Sequence, residues 1–356
     1  MRIDGIEARA KTIPTDTPES DGTLEWDATT IVLARVHAGE DTGVGYTYAD
    51  ASVADLIEGK LAPAIEGHDP LATGASWQAM HAALRNAGQP GAGAMALSAV
   101  DLALHDLRGR LLGAPVHQLL GAARDAVPIY ASGGFCSWDD DRLRAWCADV
   151  APAGRVKIKV GREPERDLER VHSARDAAGN AELMVDANGA YQTVPEALRW
   201  SQAFADAGVR WLEEPLSSDD LAGLRAVRDR APAGTTIAAG EYAWSAFDAR
   251  RMLDARAVDV LQLDVTRCGG ITGALAIDAL AWAHGVPTSL HCAPCASVHA
   301  GMAMRTLVHL EHFHDHVRIE GELFAAAPAP RGDAIEPPDR PGLGLEMNEQ
   351  ARLRPA

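Results

Sequence analysis

The sequence predicts an α/β protein built on a parallel (β/α) barrel, with an α+β domain ahead of it and a tail behind. The main observation is a ladder of polar residues, each closing a short apolar run: Lys159 ends VKIK, Asp186 LMVD, Glu213 VRWLE, Glu241 IAAGE, Asp264 VLQLD, His291 PTSLH and Glu311 LVHLE. The steps between them are 27, 27, 28, 23, 27 and 20 residues, the length of one strand, one crossover helix and their loops. The second observation is that residues 1–125 lack this rhythm and mix alternating and helical patterns. A chain of 356 residues, 47% of them hydrophobic, can bury one large core and a smaller one.

Taken in order, residues 2–10 and 29–38 alternate as antiparallel strands do. Between them Thr15–Asp27 is polar and turn-rich, and reads as a long mobile loop. Ala94–Leu107 is apolar at helical spacing, and Gly113, Pro115 and Gly121 punctuate its end. These elements make a capping domain over residues 1–125. The barrel, residues 126–325, takes strands at Val127–Ser132, Val156–Val160, Leu183–Asp186, Val209–Glu213, Thr236–Glu241, Val258–Asp264, Pro287–His291 and Leu307–Glu311. After Phe324 the chain is rich in Pro and Gly without a helical period, so residues 326–356 read as a tail packed on the other elements.

Composition narrows the function. A net charge of −17 argues against nucleic acid and anionic membrane surfaces, which need basic patches. No apolar stretch reaches the roughly 20 residues that span a bilayer, and the start MRIDGIEARAK is too charged for a secretory signal; the expected compartment is the cytoplasm. Five cysteines, an odd number in a large chain, do not form a disulfide framework. Cys292 and Cys295 make an isolated CxxC, read as ordinary loop cysteines rather than a zinc or redox pair. The chain has 29 Arg and four Lys, and two of the four, Lys157 and Lys159, share one tripeptide. Keeping Lys where positive charge is otherwise Arg points to an amine that titrates.

Strand ends in a parallel barrel ring one mouth, so the ladder converges on one volume. Lys157 and Lys159 share a strand face, about 7 Å apart at ~3.3 Å per residue; Asp186 and Asn188 do likewise. Glu213 and Glu214 are adjacent and are expected to face opposite ways, with Glu213 in the site. Asp186, Glu213 and Glu241, from three successive strands, gather three carboxylates that need a cation, and an all-oxygen set suits Mg²⁺. Asp264 and His291 are neighbours across one strand gap, a carboxylate fixing one imidazole nitrogen and freeing the other for proton transfer. Lys159 is expected to have a lowered pKa because Lys157 and the cation are like charges nearby. A divalent cation between two bases suits removal of a weakly acidic proton beside a carboxylate.

The runs VKIKVG, VDANGAY, WLEEP, AAGE, LDVTRCGGITG, SLHC and HLE, with SAVDLALHDLRGRLLGAPVHQLLG from Ser98 to Gly121, resemble the enolase superfamily and, within it, the mandelate racemase subgroup. The resemblance implies a modified TIM (β/α) barrel with an N-terminal α+β capping domain. It implies Asp186, Glu213 and Glu241 as Mg²⁺ ligands, Lys159 as the base on one face, and the Asp264/His291 dyad as acid/base on the other. It also gives Lys157 to the substrate carboxylate, Asn188 to a substrate oxygen and Glu311 to the carboxylate oxygen that gains charge. Aspartate at 264, where the related muconate lactonizing enzymes keep a lysine, argues against cycloisomerisation and dipeptide epimerisation.

The expected activity is dehydration of an acid sugar to a 2-keto-3-deoxy acid. The alternative is racemisation or epimerisation of a 2-hydroxy acid or related carboxylate, which uses the same groups. A non-catalytic metal-binding barrel is disfavoured because Lys159, Asp264 and His291 are all present, and a glycosidase because of the paired lysines. The expected partner is a small carboxylate substrate, and the resemblance implies a homo-oligomer, dimer or octamer. His309, His312, His314 and His316 read as loop and helix contacts, and Gly269–Gly270 as a tight turn rather than an anion cradle. Thr15–Asp27 and Tyr46–Ala51 are expected to close over the mouth.

Overall fold

The computed structural model describes residues 1–348; the last residues of the tail expected to pack on the other elements fall outside them. Eight parallel strands close a barrel: β4 (Val127–Gly133), β5 (Arg155–Lys159), β6 (Glu182–Asp186), β7 (Trp211–Glu213), β8 (Thr236–Ala239), β9 (Val260–Leu263), β10 (Thr288–Leu290) and β11 (Leu307–Phe313), with β11 pairing back onto β4. These are the eight expected strands, up to two residues shorter at some ends. Val156, Ile158, Val185, Leu212, Ile237 and Leu263 face outward into the main apolar core. Tyr130, Met184, Trp211, Ala238 and Val260 fill the barrel interior as a separate cluster, the packed layer that such barrels require. Polar side chains stand at the C-terminal end of that layer.

Ahead of the barrel, β1 (Gly5–Ser20), β2 (Glu25–Ala38) and β3 (Asp41–Tyr48) form an antiparallel sheet. The Ala92–Leu112 helix packs on it, its small residues meeting Gly43 and Gly45, where an added Cβ would fall 2.1 and 2.2 Å from the carbonyl oxygens of Ala103 and Ala99. Thr15–Asp27 is not a long mobile loop. Its ends are strand, with Glu19 opposite Trp26, and only the tip turns, where Asp21 Oδ1 accepts from the backbone N–H of Thr23 (2.7 Å) and Leu24 (2.6 Å). The polarity that reads as loop belongs to a hairpin whose residues 15–18 are largely exposed and whose buried end, Glu19, Ser20 and Asp21, is itself polar, and the Asp at its tip makes a local turn bond.

The capping domain docks directly on the barrel. Tyr46 donates to Glu320 Oε1 at 2.6 Å and Thr47 Oγ1 to the Thr266 carbonyl at 2.8 Å. Ser98 Oγ accepts from the backbone N–H of Gly269 (2.9 Å) and Gly270 (3.1 Å), and Asp101 Oδ2 from that of Thr272 (3.0 Å). Side chains of the capping helix thus satisfy the N-terminus of the Gly270–His284 helix. Gly269–Gly270 is the tight turn expected. The short β12 (Ala334–Ile335) returns the tail to β4 in antiparallel pairing. Among the described residues no helix is long and apolar enough to cross a membrane.

Candidate active site

In-register parallel pairing sets the ladder at one level. Lys159 pairs with Asp186, Asp186 with Glu213, and Glu213 with Ala238. Glu241 lies past the end of β8: Gly240 has φ +131°, and a Cβ there would meet the Gln262 carbonyl at 2.5 Å, so glycine lets the chain swing Glu241 inward. Asp186, Glu213 and Glu241 each offer an oxygen within 4.8 Å of the others, all buried. Burial first, and then the neighbouring Asp186, push Glu213 up to about 8. Glu241 is held well below the usual carboxylate range: burial opposes this, but His291 and Arg267 outweigh it. Its Oε2 is buried without a hydrogen-bond partner, although it lies 3.1 Å from His291 Nε2. An all-oxygen set with a buried oxygen left over is the donor chemistry that a hard divalent cation such as Mg²⁺ takes.

The two lysines take different places. Lys159 Nζ donates to Asp186 Oδ2 at 2.6 Å and reaches the cavity at the mouth. Burial opposes its charge, but Asp186 and the other carboxylates outweigh burial and Lys157 together, so the protein groups alone raise its pKa; the lowering expected from the sequence also counts the charge of the cation. Lys157 lies deeper and is fully buried. It donates to Glu213 Oε1 at 2.6 Å, stands 2.8 Å from Glu311 Oε1 and 3.6 Å from Asp186 Oδ2, and sits over the Tyr130 ring. With these partners its amine faces the carboxylates rather than the cavity.

On the opposite side, His291 Nδ1 lies 2.7 Å from Asp264 Oδ2. Asp264 Oδ1 accepts from the backbone N–H and hydroxyl of Thr266, both at 2.7 Å, so the carboxylate is locked and the ring with it. Burial opposes charge on His291, but Cys292, Glu241, Glu311 and the Asp264 bond raise its pKa well above the usual value. Glu311 is held low, burial being outweighed by Lys157 and His291, and it is an acceptor here. Asn188 sits at φ +46°, its backbone N–H donating to Asp186 Oδ1 at 2.9 Å, while the Oδ1 of Asn188 itself is buried and unpartnered.

Several residues at the site escaped the sequence. Glu214 does not face away: β7 ends at Glu213, Glu214 takes φ +40°, and its buried carboxyl hydrogen-bonds Ser218. Strand alternation fails there because the strand has stopped. Its pKa is raised well above the usual range by burial and by Glu241 and Asp186. Arg267 lies 3.3 Å from both Glu241 Oε1 and Asp264 Oδ2; three residues after Asp264 in a tight turn, it was within reach of an i,i+3 argument. Tyr48 stacks on His316 with centroids 3.4 Å apart, bringing a strand of the capping sheet to the mouth. The resulting cavity, about 280 Å³, is walled by Asp21, Trp26 and Tyr48 on one side and Lys159, Glu241 and His291 on the other. A larger groove, about 670 Å³ between Glu7 and Arg110, holds none of the ladder residues. Of the histidine run, His309 and His312 lie on β11 and His314 and His316 open the helix after it.

The fold and site define a capped parallel barrel whose mouth gathers three carboxylates between a lysine and a histidine–aspartate pair. Residues 142–351 match the family described as enolase C-terminal domain-like, and residues 15–121 match the mandelate racemase/muconate lactonizing enzyme N-terminal domain. The chain belongs to the enolase superfamily, on its mandelate racemase/muconate lactonizing enzyme branch. It is similar to a mandelate racemase/muconate lactonizing enzyme-like protein of known structure from Rubrobacter xylanophilus, with 53% identity, TM-score 0.96, and 99% of this chain and 98% of that one covered. It is 30% identical to D-galactarolactone cycloisomerase of Agrobacterium fabrum over 99% of this chain and 98% of that protein. L-talarate/galactarate dehydratase from Salmonella typhimurium, solved with Mg and L-lyxarohydroxamate, matches at 29% identity and TM-score 0.88, covering 99% of this chain and 92% of that one.

Proposed function

We propose that the protein is a Mg²⁺-dependent enzyme that removes the proton alpha to a carboxylate, through an enediolate, and that it dehydrates an acid sugar to a 2-keto-3-deoxy acid. The observation that carries this is the placing of Lys159 and His291 on either side of the three-carboxylate set. Asp186, Glu213 and Glu241 would hold the cation, which when bound supplies positive charge to the developing enediolate. Lys159, whose amine donates to Asp186, would take the alpha proton; a cation held by Asp186 would compete with the amine for that carboxylate. Asp264 keeps Nδ1 of His291, so Nε2 is the nitrogen turned to the substrate. Glu241, Glu311 and Asp264 favour the charged form of His291, the form that gives a proton to a departing hydroxyl. Asn188, with a free buried oxygen at the mouth, is placed to contact a substrate hydroxyl. Glu311 and Lys157 support the floor, and a substrate carboxylate that takes up Lys157 must first compete with Glu311.

Racemisation of a 2-hydroxy acid uses the same two faces, with His291 returning the proton instead of releasing a hydroxyl. The relative named a cycloisomerase keeps that reaction open as well, against the expectation drawn from Asp264. Proton NMR in D₂O with pooled sugar acids and aryl 2-hydroxy acids, with and without EDTA, tests the reading. Loss of the C2 proton with 2-keto-3-deoxy signals is expected. Deuterium at an inverted C2 with the hydroxyl retained would replace dehydration by racemisation, and EDTA-resistant turnover would defeat the metal-dependent reading altogether. The same reading includes a homo-oligomer.

Mg²⁺ binding should be pH-dependent in a stated direction. Glu213, raised from 4.5 to about 8, keeps a proton that unfolded chain gives up at lower pH. Its contribution to stability is therefore full at low pH and fades as pH rises from about 4.5 to 8. The cation needs that proton gone. Affinity for Mg²⁺ is thus expected to climb as pH rises toward 8, with proton release on binding, which calorimetry in two buffers of different ionisation enthalpy measures. Affinity that is flat with pH would contradict the assignment of Glu213.

A further inference from the structure

Beside the all-oxygen set lies a second group of potential ligands with different chemistry. His291 Nε2 and Cys292 Sγ are 3.2 Å apart, Cys292 Sγ and Glu311 Oε2 3.3 Å, and His291 Nε2 and Glu311 Oε2 3.6 Å. Bonds of about 2.0–2.3 Å in a tetrahedral zinc site place neighbouring ligand atoms roughly 3.3–3.7 Å apart. The three atoms therefore already form one face of such a tetrahedron. We propose that His291, Cys292 and Glu311 bind a thiophilic divalent cation, Zn²⁺ in preference to Mg²⁺.

The backbone explains how adjacent residues converge. Side chains of neighbouring residues on a strand diverge, but β10 ends at Leu290, and Cys292 and Ala293 take φ +50° and +48°. That left-handed turn, held by Ser297 Oγ donating to the Cys292 carbonyl at 2.7 Å, folds the thiol back beside the imidazole. The remaining polar atom of each outer ligand is already held: Asp264 takes His291 Nδ1, and Lys157 sits on Glu311 Oε1. Partners of this kind fix tautomer and orientation at metal sites. His291 and Cys292 both line the cavity, so the fourth position is open to an incoming ion and a water. Cys295 takes no part: it packs toward Glu320, which accepts from its backbone N–H at 2.9 Å. The isolated CxxC is thus not the pair that matters.

Binding breaks the Cys292 S–H bond and the Nε2–H bond of protonated His291, forms a metal–sulfur and a metal–nitrogen bond, and sends both protons to solvent, while Glu311 enters as a carboxylate. Sulfur and imidazole favour Zn²⁺, whereas carboxylate oxygens suit Mg²⁺, so two adjoining sites, with His291 Nε2 3.1 Å from Glu241 Oε2, select different ions. An ion on Nε2 removes the proton carrier, making Zn²⁺ an inhibitor of the Mg²⁺ enzyme. That consequence rests on the role proposed for His291, whereas the site itself does not.

The test is Co²⁺ titration of the full-length protein held in excess Mg²⁺, read by the thiolate-to-cobalt charge-transfer band in the near ultraviolet. One equivalent is expected to raise the band and Zn²⁺ to bleach it. The band should vanish in Cys292→Ser, Cys292→Ala and His291→Asn and persist in Cys295→Ser, with circular dichroism showing each variant folded. A wild-type protein without the band, or a band surviving in both folded Cys292 variants, overturns the site. If the band behaves as expected but Zn²⁺ leaves turnover untouched, the site stands and the role of His291 falls. If turnover is as proposed and the band is absent, only the zinc site falls.

Discussion

Lys159→Ala and His291→Asn are each expected to lower turnover by about 10²–10⁴-fold, the usual loss when a positioned proton-transfer group is removed, while Mg²⁺ still binds. The two amino-acid changes act on opposite faces. Lys159 Nζ touches Asp186 and His291 Nε2 approaches Glu241, so each loses one route for the proton and leaves the carboxylate set complete. If Lys159 takes the C2 proton, its alanine variant loses deuterium exchange at C2 altogether. His291→Asn keeps that exchange but loses the hydroxyl departure, because exchange can proceed on the Lys159 face alone. Calorimetry for Mg²⁺ beside NMR for exchange separates this from a collapsed site. Full turnover in either variant, with binding intact, would remove that residue from the mechanism.

Lys157→Ala should act on the fold as much as on activity. Its amine lies between Glu213, Glu311 and Asp186, at 2.6, 2.8 and 3.6 Å, with all four groups essentially excluded from solvent. Removing one member of a buried ion pair leaves uncompensated charge, here on Glu311, which is held ionised, and typically costs about 3–5 kcal/mol. The expected result is a loss of that order in denaturant unfolding at neutral pH. It should shrink as the pH falls and the orphaned carboxylates take up protons, and shrink again when Mg²⁺ is added, because a ligand that binds only the folded chain stabilises it. A variant as stable as the parent at neutral pH without Mg²⁺ would mean that these carboxylates are already protonated and that the amine is dispensable. Lys157→Met, closer in volume, separates the charge effect from the cavity effect.

The barrel was legible because each strand is short, apolar and closed by a polar residue that cannot be buried without a partner. Asp186 and Glu213 each close a strand and fall where in-register pairing puts them. Glu241 was found for a less direct reason: it lies two residues past its strand, and Gly240 rather than the ladder brings it in. What the sequence hid depends on where strands stop. Glu214 looked outward under strict alternation, and the hairpin arms of Thr15–Asp27 looked like a loop, because even their buried residues, Glu19, Ser20 and Asp21, are polar. The pKa of Lys159 depends on more than the sequence shows. Sequence shows the like charge of Lys157 two residues away, whereas the closest partner, Asp186 across the sheet, is visible only once register is known.

The bonds from Ser98 and Asp101 to the turn after β9 bear on how this enzyme can be re-engineered. That turn carries Asp264, Thr266 and Arg267, yet its backbone is completed by atoms from the capping helix, and Thr47 adds a further bond to the Thr266 carbonyl. The two domains are consequently not interchangeable modules. A chimera that replaces residues 1–125 wholesale would have to reproduce the Ser98 and Asp101 contacts or lose the dyad's footing. Exchange of the hairpin tip around Asp21–Leu24 alone leaves those contacts alone. A cut that varies the cavity wall and keeps the dyad's support therefore passes through the hairpin rather than between the domains.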